Sequence, residues 1–306
     1  MQIVMYHYIK QQQLAPGEEP WFLPADQFER QLDFFQQHYE VIHPRQLLQP
    51  QFQPAQHQVL LTFDDGLADH YETVFPILQQ RGLSGLFFLN GLNYEQHRLL
   101  NVHRIHYLSR TLGWQQFQDE LTRRLQLVPV QSTFIERFRD AAYQGLDQTA
   151  LLSNLKSHLN FYLAPADQES LLTDLMQELG VDEAALAAAY YISQSQAAEM
   201  QAAGMCFGGH GYTHYVLSNL SAAAQQSEVQ DCMQWLQHWL PNVPLPVFCF
   251  PYGYQQSYNQ DTAAALAKAG IEVGFCVENR AVAGIDWQDG RWHLPRLDCN
   301  RFNFNA

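Results

Sequence analysis

The chain has 306 residues, with 17 Lys plus Arg against 31 Asp plus Glu, a net charge of −14, and 16% charged residues beside 47% hydrophobic ones. That apolar content is enough to fill a core and excludes a disordered chain. The acidic balance lacks the cationic footprint of a nucleic-acid binder or of a protein drawn to an anionic membrane surface.

In chain order, the opening residues Met1–His7 show no basic stretch followed by a long apolar one. No apolar run approaches the roughly 18 residues of a membrane span. With Met1 as the start, a cytoplasmic protein without a leader is expected. Seven short runs rich in β-branched and aromatic residues follow: Ile3–Tyr8, Val59–Phe63, Leu86–Leu89, Met205–Phe207, Val247–Phe250, Val273–Val277 and Trp292–Leu297. Nearly continuous apolar runs of this length suit strands buried on both faces of a parallel sheet. Between them, Phe28–Gln37, Thr73–Gln80, Ala197–Ala203 and Asp261–Ala269 have helical character, and the last three are followed by Gly82, Gly204 and Gly270. Glycine is the usual residue for the left-handed position that ends a helix. Strand, helix, glycine, strand is the rhythm of βα units, so the class is α/β, and seven strands suit a closed barrel.

The rhythm breaks over about 92–190. There Ile105, Leu108 and Leu112, then Leu152 and Leu155, then Leu171, Leu172, Leu175 and Met176 recur at helical spacing, with no convincing strand. This predicts several helices inserted into one βα connection, either a structural cap or a lid that selects substrate. The five cysteines are scattered, with no C-x-x-C pair, which argues against a thiolate zinc site or a disulfide framework. They read as small buried hydrophobes in a reducing compartment.

Two segments carry chemistry. Leu60-Leu61-Thr62-Phe63 runs into Asp64-Asp65-Gly66. Adjacent carboxylates at the C-terminal end of a strand are unfavourable unless a cation or a proton separates their roles. That end of a βα barrel is where active sites sit. Met205-Cys206-Phe207 runs into Gly208-Gly209-His210-Gly211-Tyr212-Thr213-His214. Histidines four apart on a helical turn reach one metal, and with one carboxylate they form a catalytic set with open coordination positions. The second Asp remains as a base for water.

These segments resemble the polysaccharide deacetylases of the NodB-homology type, carbohydrate esterase family 4. Thr62–Gly66 matches the first motif of that family and His210–His214 its His-x-x-x-His motif. Phe250-Pro251-Tyr252-Gly253 is similar to the third motif, His293-Leu294-Pro295-Arg296-Leu297 to a Leu-Pro-Arg segment, and Met5–Ile9 to the opening strand. The resemblance covers the chain except the insertion. It implies a distorted (β/α)7 barrel, one catalytic domain over 1–306, and a divalent metal, commonly zinc, on Asp65, His210 and His214. It implies Asp64 as general base and the Tyr252 backbone amide as oxyanion donor. The reaction implied is hydrolysis of an N-acetyl group on an amino sugar, in bacterial surface-glycan or cell-wall metabolism, with a carbohydrate as partner.

Two features depart from the family. No Arg precedes Pro251, and no Leu-x-x-His segment follows Arg296. Arg296 is expected to take over the Arg role and pair with Asp64. His7, at the end of the first strand, and His293 are the candidates for the general acid. Asp286-Trp287 looks like a further Asp-Trp motif without its Arg and is read as coincidence. His103 and His106, beside Arg104 in the insertion, either hold sugar hydroxyls or lie on a solvated helix face. The tryptophans (Trp21, Trp114, Trp235, Trp239, Trp287, Trp292) offer a sugar-stacking surface, although Trp235 and Trp239 at i, i+4 spacing read as core. The other readings are a deformylase or other amide hydrolase, and a non-catalytic glycan-binding barrel.

Overall fold

The computed structural model describes residues 1–11, 22–125, 131–138, 157–288 and 291–302. Its strands are β1 (Gln2–Tyr6), β2 (Tyr8–Lys10), β3 (Phe22–Pro24), β4 (Glu40–Val41), β5 (Gln58–Phe63), β6 (Leu86–Leu89), β7 (Cys206–Gly209), β8 (Val247–Cys249), β9 (Val273–Val277) and β10 (Leu294–Asp298). Seven of them form a closed parallel barrel in the order β1-β10-β9-β8-β7-β6-β5, and β1 returns to β5 with the register Gln2↔Val59 through Tyr6↔Phe63. These are the seven runs read from the sequence. The first run is shorter than expected: the chain leaves the barrel at His7, and Tyr8–Lys10 pairs instead with Phe22–Pro24.

Strand parity sets the layers, because successive side chains point to opposite faces. Val4, Tyr6, Val59, Leu61, Phe63 and Phe87 pack outward against Phe28, Leu32 and Phe35 of the helix Ala25–His38 and against Phe75 and Leu78 of the helix Phe75–Gln80. Ile3, Leu60, Leu86, Phe88, Val247, Phe275 and Leu294 fill the barrel interior, where Phe52 and Trp287 join them. Continuing the inward parity to the strand ends brings His7, Asp64, His210, Cys249 and Arg296 to the inside. The glycines after the helices behave as expected: Gly82, Gly204 and Gly270 have φ of 66°, 92° and 72°.

Gly274 in β9 is required by a close approach rather than by a turn. A Cβ there would lie 2.3 Å from the backbone oxygen of Trp292, and backbone cannot step aside as a flexible side chain can. Gly274→Ala is therefore expected to destabilise the fold by about 1–3 kcal/mol. Thermal unfolding checks this, and an unchanged midpoint would contradict it.

Between β6 and β7 the described residues form helices at Asn101–Leu112, Trp114–Leu125, Ser132–Phe138, Pro165–Glu178 and Glu183–Tyr190, and the helix Gln194–Ala202 then leads back into the barrel. No strand occurs among the described residues of 92–190. The insertion has its own apolar cluster around Ile105, Leu108, Phe117, Leu172 and Met176. Inside it Arg104, almost fully buried, donates to Glu183 and Glu169. Leu152, Leu155 and Trp21 lie outside the described residues. Trp235 and Trp239 stack on each other (5.1 Å between ring centres) and on Tyr94, as part of the packing outside the barrel. All five cysteines are buried and free.

Candidate active site

Asp64 and Asp65 leave the end of β5 in different directions. Asp65 has φ of 76°, so the backbone turns left-handed directly after Asp64. His214 (φ 63°) and Tyr252 (φ 62°) share this conformation. Non-glycine residues held there cost of order 1–3 kcal/mol each and persist where the surroundings over-determine them. Three such residues converge here.

The His-x-x-x-His segment is not the helical turn expected from its spacing. His210 follows the end of β7, Gly211 takes φ of 76°, and residues 210–214 form an irregular loop. The loop is held by side chains distant in sequence. Asn90 donates to the carbonyls of His210 and Gly211, and the Glu228 carboxylate accepts from the Thr213 amide (2.9 Å) and hydroxyl (2.6 Å). The imidazoles still converge, with ring centres 4.9 Å apart. Only their spacing in the chain had suggested a helix, and the left-handed Gly211 excludes one.

Ligand atoms of Asp65, His210 and His214 lie within 4.8 Å of one another, all buried. Nε2 of each histidine is 3.5 Å from Asp65 Oδ1. Ligand atoms about 2.1 Å from a shared ion in tetrahedral array stand about 3.4 Å apart, so the spacing fits a divalent metal. Asp65 Oδ1 is buried and accepts no hydrogen bond from any described residue, which such an ion would remedy. His210 donates from Nδ1 to the Cys249 carbonyl (2.9 Å), which leaves Nε2 as the nitrogen that could bind a metal. Burial lowers the pKa of both imidazoles, that of His214 to about 3, so both are in the neutral form that binds metal. Burial opposes the charge on Asp65, but the hydrogen bond from His103, with His214 and His210 close by, holds its carboxyl well below the usual range. A second group, Asp64, His210 and Cys249, also clusters. Both Asp64 oxygens already accept from Arg296 whereas Asp65 Oδ1 has no partner among the described residues, so the Asp65 set is the better one.

Arg296 reaches Asp64 from β10, as expected. Its two terminal nitrogens donate to the two carboxylate oxygens, each at 2.7 Å, with both residues about 1% exposed. Burial pushes the Asp64 carboxyl up, but the Arg296 guanidinium and then His210 outweigh it and hold the carboxyl at about 2. Oδ2 of Asp64 faces the site, 3.7 Å from His7 Nε2 and 4.0 Å from His210 Nε2. The His7 side chain is 38% exposed, at the barrel mouth. Tyr252 packs its ring on His214 (5.0 Å) and donates from its hydroxyl to Asn160 of the insertion.

The remaining candidates fall elsewhere. His293 precedes β10, at the opposite end of that strand from the mouth, and stacks on Tyr258. Asp286 pairs with Arg280, and Trp287 packs on Phe52 in the barrel interior cluster. His103 is neither a sugar contact nor part of a solvated face. It is fully buried, Nε2 lies 3.3 Å from Asp65 Oδ2, and Nδ1 lies 2.6 Å from the Tyr191 hydroxyl. Both ring nitrogens are thus engaged. His106 Nδ1 meets the Tyr8 hydroxyl at 3.0 Å. Asn90, Tyr191, Glu228 and Cys249 were not anticipated, since none stands in a motif and each acts on a residue distant in the chain.

Fold and site together define a (β/α)7 barrel with a buried Asp-His-His cluster at its C-terminal mouth that could hold a metal ion. The family model described as polysaccharide deacetylase matches residues 53–127 and 157–274, and the chain belongs to that family. It is 27% identical over 122 residues to YxkH of Bacillus subtilis (strain 168), a protein named within the same family; the match spans 36% of this chain and 42% of that protein. The fold is similar to that of the Streptococcus pyogenes deacetylase PplD, with TM-score 0.59 at 18% identity, covering 97% of this chain and 91% of that one. It is also similar to a de-N-acetylase from Aggregatibacter actinomycetemcomitans, with TM-score 0.56 at 13% identity, covering 100% and 95%. Among the described residues no helix is long and apolar enough to cross a membrane.

Proposed function

We propose that the protein is a metal-dependent hydrolase that removes the N-acetyl group from an amino sugar in bacterial surface-glycan or cell-wall metabolism. In this reading residues 1–306 act as one catalytic unit, and the insertion over about 92–190 shapes access to it. The observation that carries the reading is the unsatisfied Asp65 Oδ1 facing two neutral imidazoles, beside an Asp64 carboxylate pinned by Arg296.

Asp65, His210 and His214 would hold a divalent cation, commonly zinc, which when bound polarises an amide carbonyl and acidifies water. Asp64 takes a proton at Oδ2 from the attacking water, while Arg296 keeps it ionised and fixes its plane. The Tyr252 backbone N–H donates to the carbonyl oxygen as that oxygen becomes negative, and one such donor is worth about 3 kcal/mol in comparable sites. His7 delivers a proton to the departing nitrogen as the C–N bond breaks, leaving acetate and a free amine. Its position beside Asp64 and its partial exposure support that role over His293.

The test is an acetate-release screen over nucleotide-linked, lipid-linked and oligomeric N-acetyl amino sugars with added Zn²⁺, with formate measured in parallel. Acetate from one class supports the reading. Formate alone points to a deformylase, and no release from any class points to a binding barrel. Removing the metal with a chelator is expected to abolish turnover, and Zn²⁺ to restore it. Turnover that survives complete metal removal contradicts the ligand assignment.

A further inference from the structure

We infer that His103 and Tyr191, both supplied by the region between β6 and β7, are positioning residues that set which oxygen of Asp65 faces the metal. The inference rests on the proposed metal site and concerns a part of the chain outside its recognised motifs.

The hydrogen bonds form one directed chain. The Leu100 amide donates to the Tyr191 hydroxyl oxygen at 2.9 Å. The Tyr191 hydroxyl meets His103 Nδ1 at 2.6 Å, and His103 Nε2 meets Asp65 Oδ2 at 3.3 Å. A carboxylate only accepts, so Nε2 carries the proton and donates to Asp65, and Nδ1 accepts from Tyr191. Every polar atom in the chain then has a partner until Asp65 Oδ1, which has none among the described residues. Oδ2 is occupied by the imidazole, so Oδ1 is the oxygen left to bind the ion.

Packing fixes the imidazole in place. His103 is fully buried, with the rings of Tyr8, Tyr190 and Tyr191 at 6.0, 5.0 and 5.5 Å. It does not belong to the group whose ligand atoms lie within 4.8 Å of one another, so it orients a ligand rather than serving as one. Asp65 has a left-handed backbone, and the contact from His103 is one of the surroundings that hold this strained residue. The helical region thereby completes the metal centre as well as covering it.

The test is Zn²⁺ affinity by competition with a chromophoric chelator, on full-length wild type and the variants His103→Leu, His103→Gln and Tyr191→Phe. Leu preserves bulk and removes the donor. Gln retains an N–H that can reach Asp65. His103→Leu is expected to weaken Zn²⁺ binding about 10–100-fold. His103→Gln is expected to recover most of that loss, and Tyr191→Phe to lie between. The Co²⁺-loaded forms read the same event independently: the visible spectrum of His103→Leu should shift as the carboxylate changes its mode of binding. A purely structural role would lower the unfolding temperature and leave affinity and spectrum unchanged, which overturns the inference. If His103→Leu does not fold, Tyr191→Phe decides: a several-fold loss of affinity supports the inference and wild-type affinity overturns it. Wild type that binds no Zn²⁺ at all overturns both this inference and the proposed function. Wild type that binds Zn²⁺ and releases acetate, with variants of equal affinity, overturns this inference alone.

Discussion

Asp64→Asn is expected to lower kcat/KM by about 10²–10⁴-fold while the protein still binds one divalent cation. The amide matches the carboxylate in shape but cannot take a proton from water. Asp64 is not in the preferred ligand set, and Asp65, His210 and His214 are untouched by the change. The variant also loses half of a bidentate ion pair between two buried residues. An Arg296 charge left without its counter-charge destabilises by about 3–5 kcal/mol. Initial rates, metal content and thermal unfolding should therefore be measured together at a temperature where the variant is folded. A variant that keeps wild-type turnover removes Asp64 from the base role. A variant that loses the metal would make Asp64 a ligand.

Arg296→Gln is expected to move the acid limb of the kcat/KM profile to higher pH and to destabilise the protein by about 3–5 kcal/mol at neutral pH. Asp64 must be ionised to act as a base, so activity falls as pH drops through its pKa. In the intact protein Arg296 leads the groups that hold this carboxyl at about 2 against burial. Without the guanidinium, burial dominates and the pKa rises, so the limb moves up. The sign for stability follows. A carboxyl lowered from its usual 3.8 to about 2 contributes stability that is present above 3.8 and lost as pH falls through 2. The unfolded carboxyl is the same in both proteins, so the gap between wild type and Arg296→Gln should begin to close at the raised folded pKa of the variant and go on closing as pH falls to about 2. Urea unfolding at several pH values measures it, and a gap that widens on acidification contradicts the pairing. Arg296→Lys should not restore the profile, because a single ammonium cannot replace the two-pronged contact.

The fold was legible to a large degree because its signals are local. Each of the seven barrel strands is a short apolar run, and three helices end in a glycine that takes positive φ. Strand parity extends this to the site: His7, Asp64, His210 and Arg296 follow the inward-facing positions of their strands. The members of the Asp65, His210 and His214 cluster were legible from two short motifs. The conformation joining the histidines was not, since a spacing of four cannot distinguish a helical turn from a loop tied down by Asn90 and Glu228.

The sequence by itself determined the barrel, the place of its interruption, and the residue types at the mouth. These depend on interactions among neighbours within a few positions, where periodicity and turn chemistry act. Only the tertiary structure decided that His103 is buried on Asp65 rather than open to a sugar, and that His293 lies at the far end of its strand. It also decided that Arg296 meets Asp64 with both nitrogens, across 232 positions of chain. Such contacts depend on how the barrel closes and where the insertion folds back. Buried polar groups must find partners wherever packing places them, and no local pattern in the chain records which partners those are.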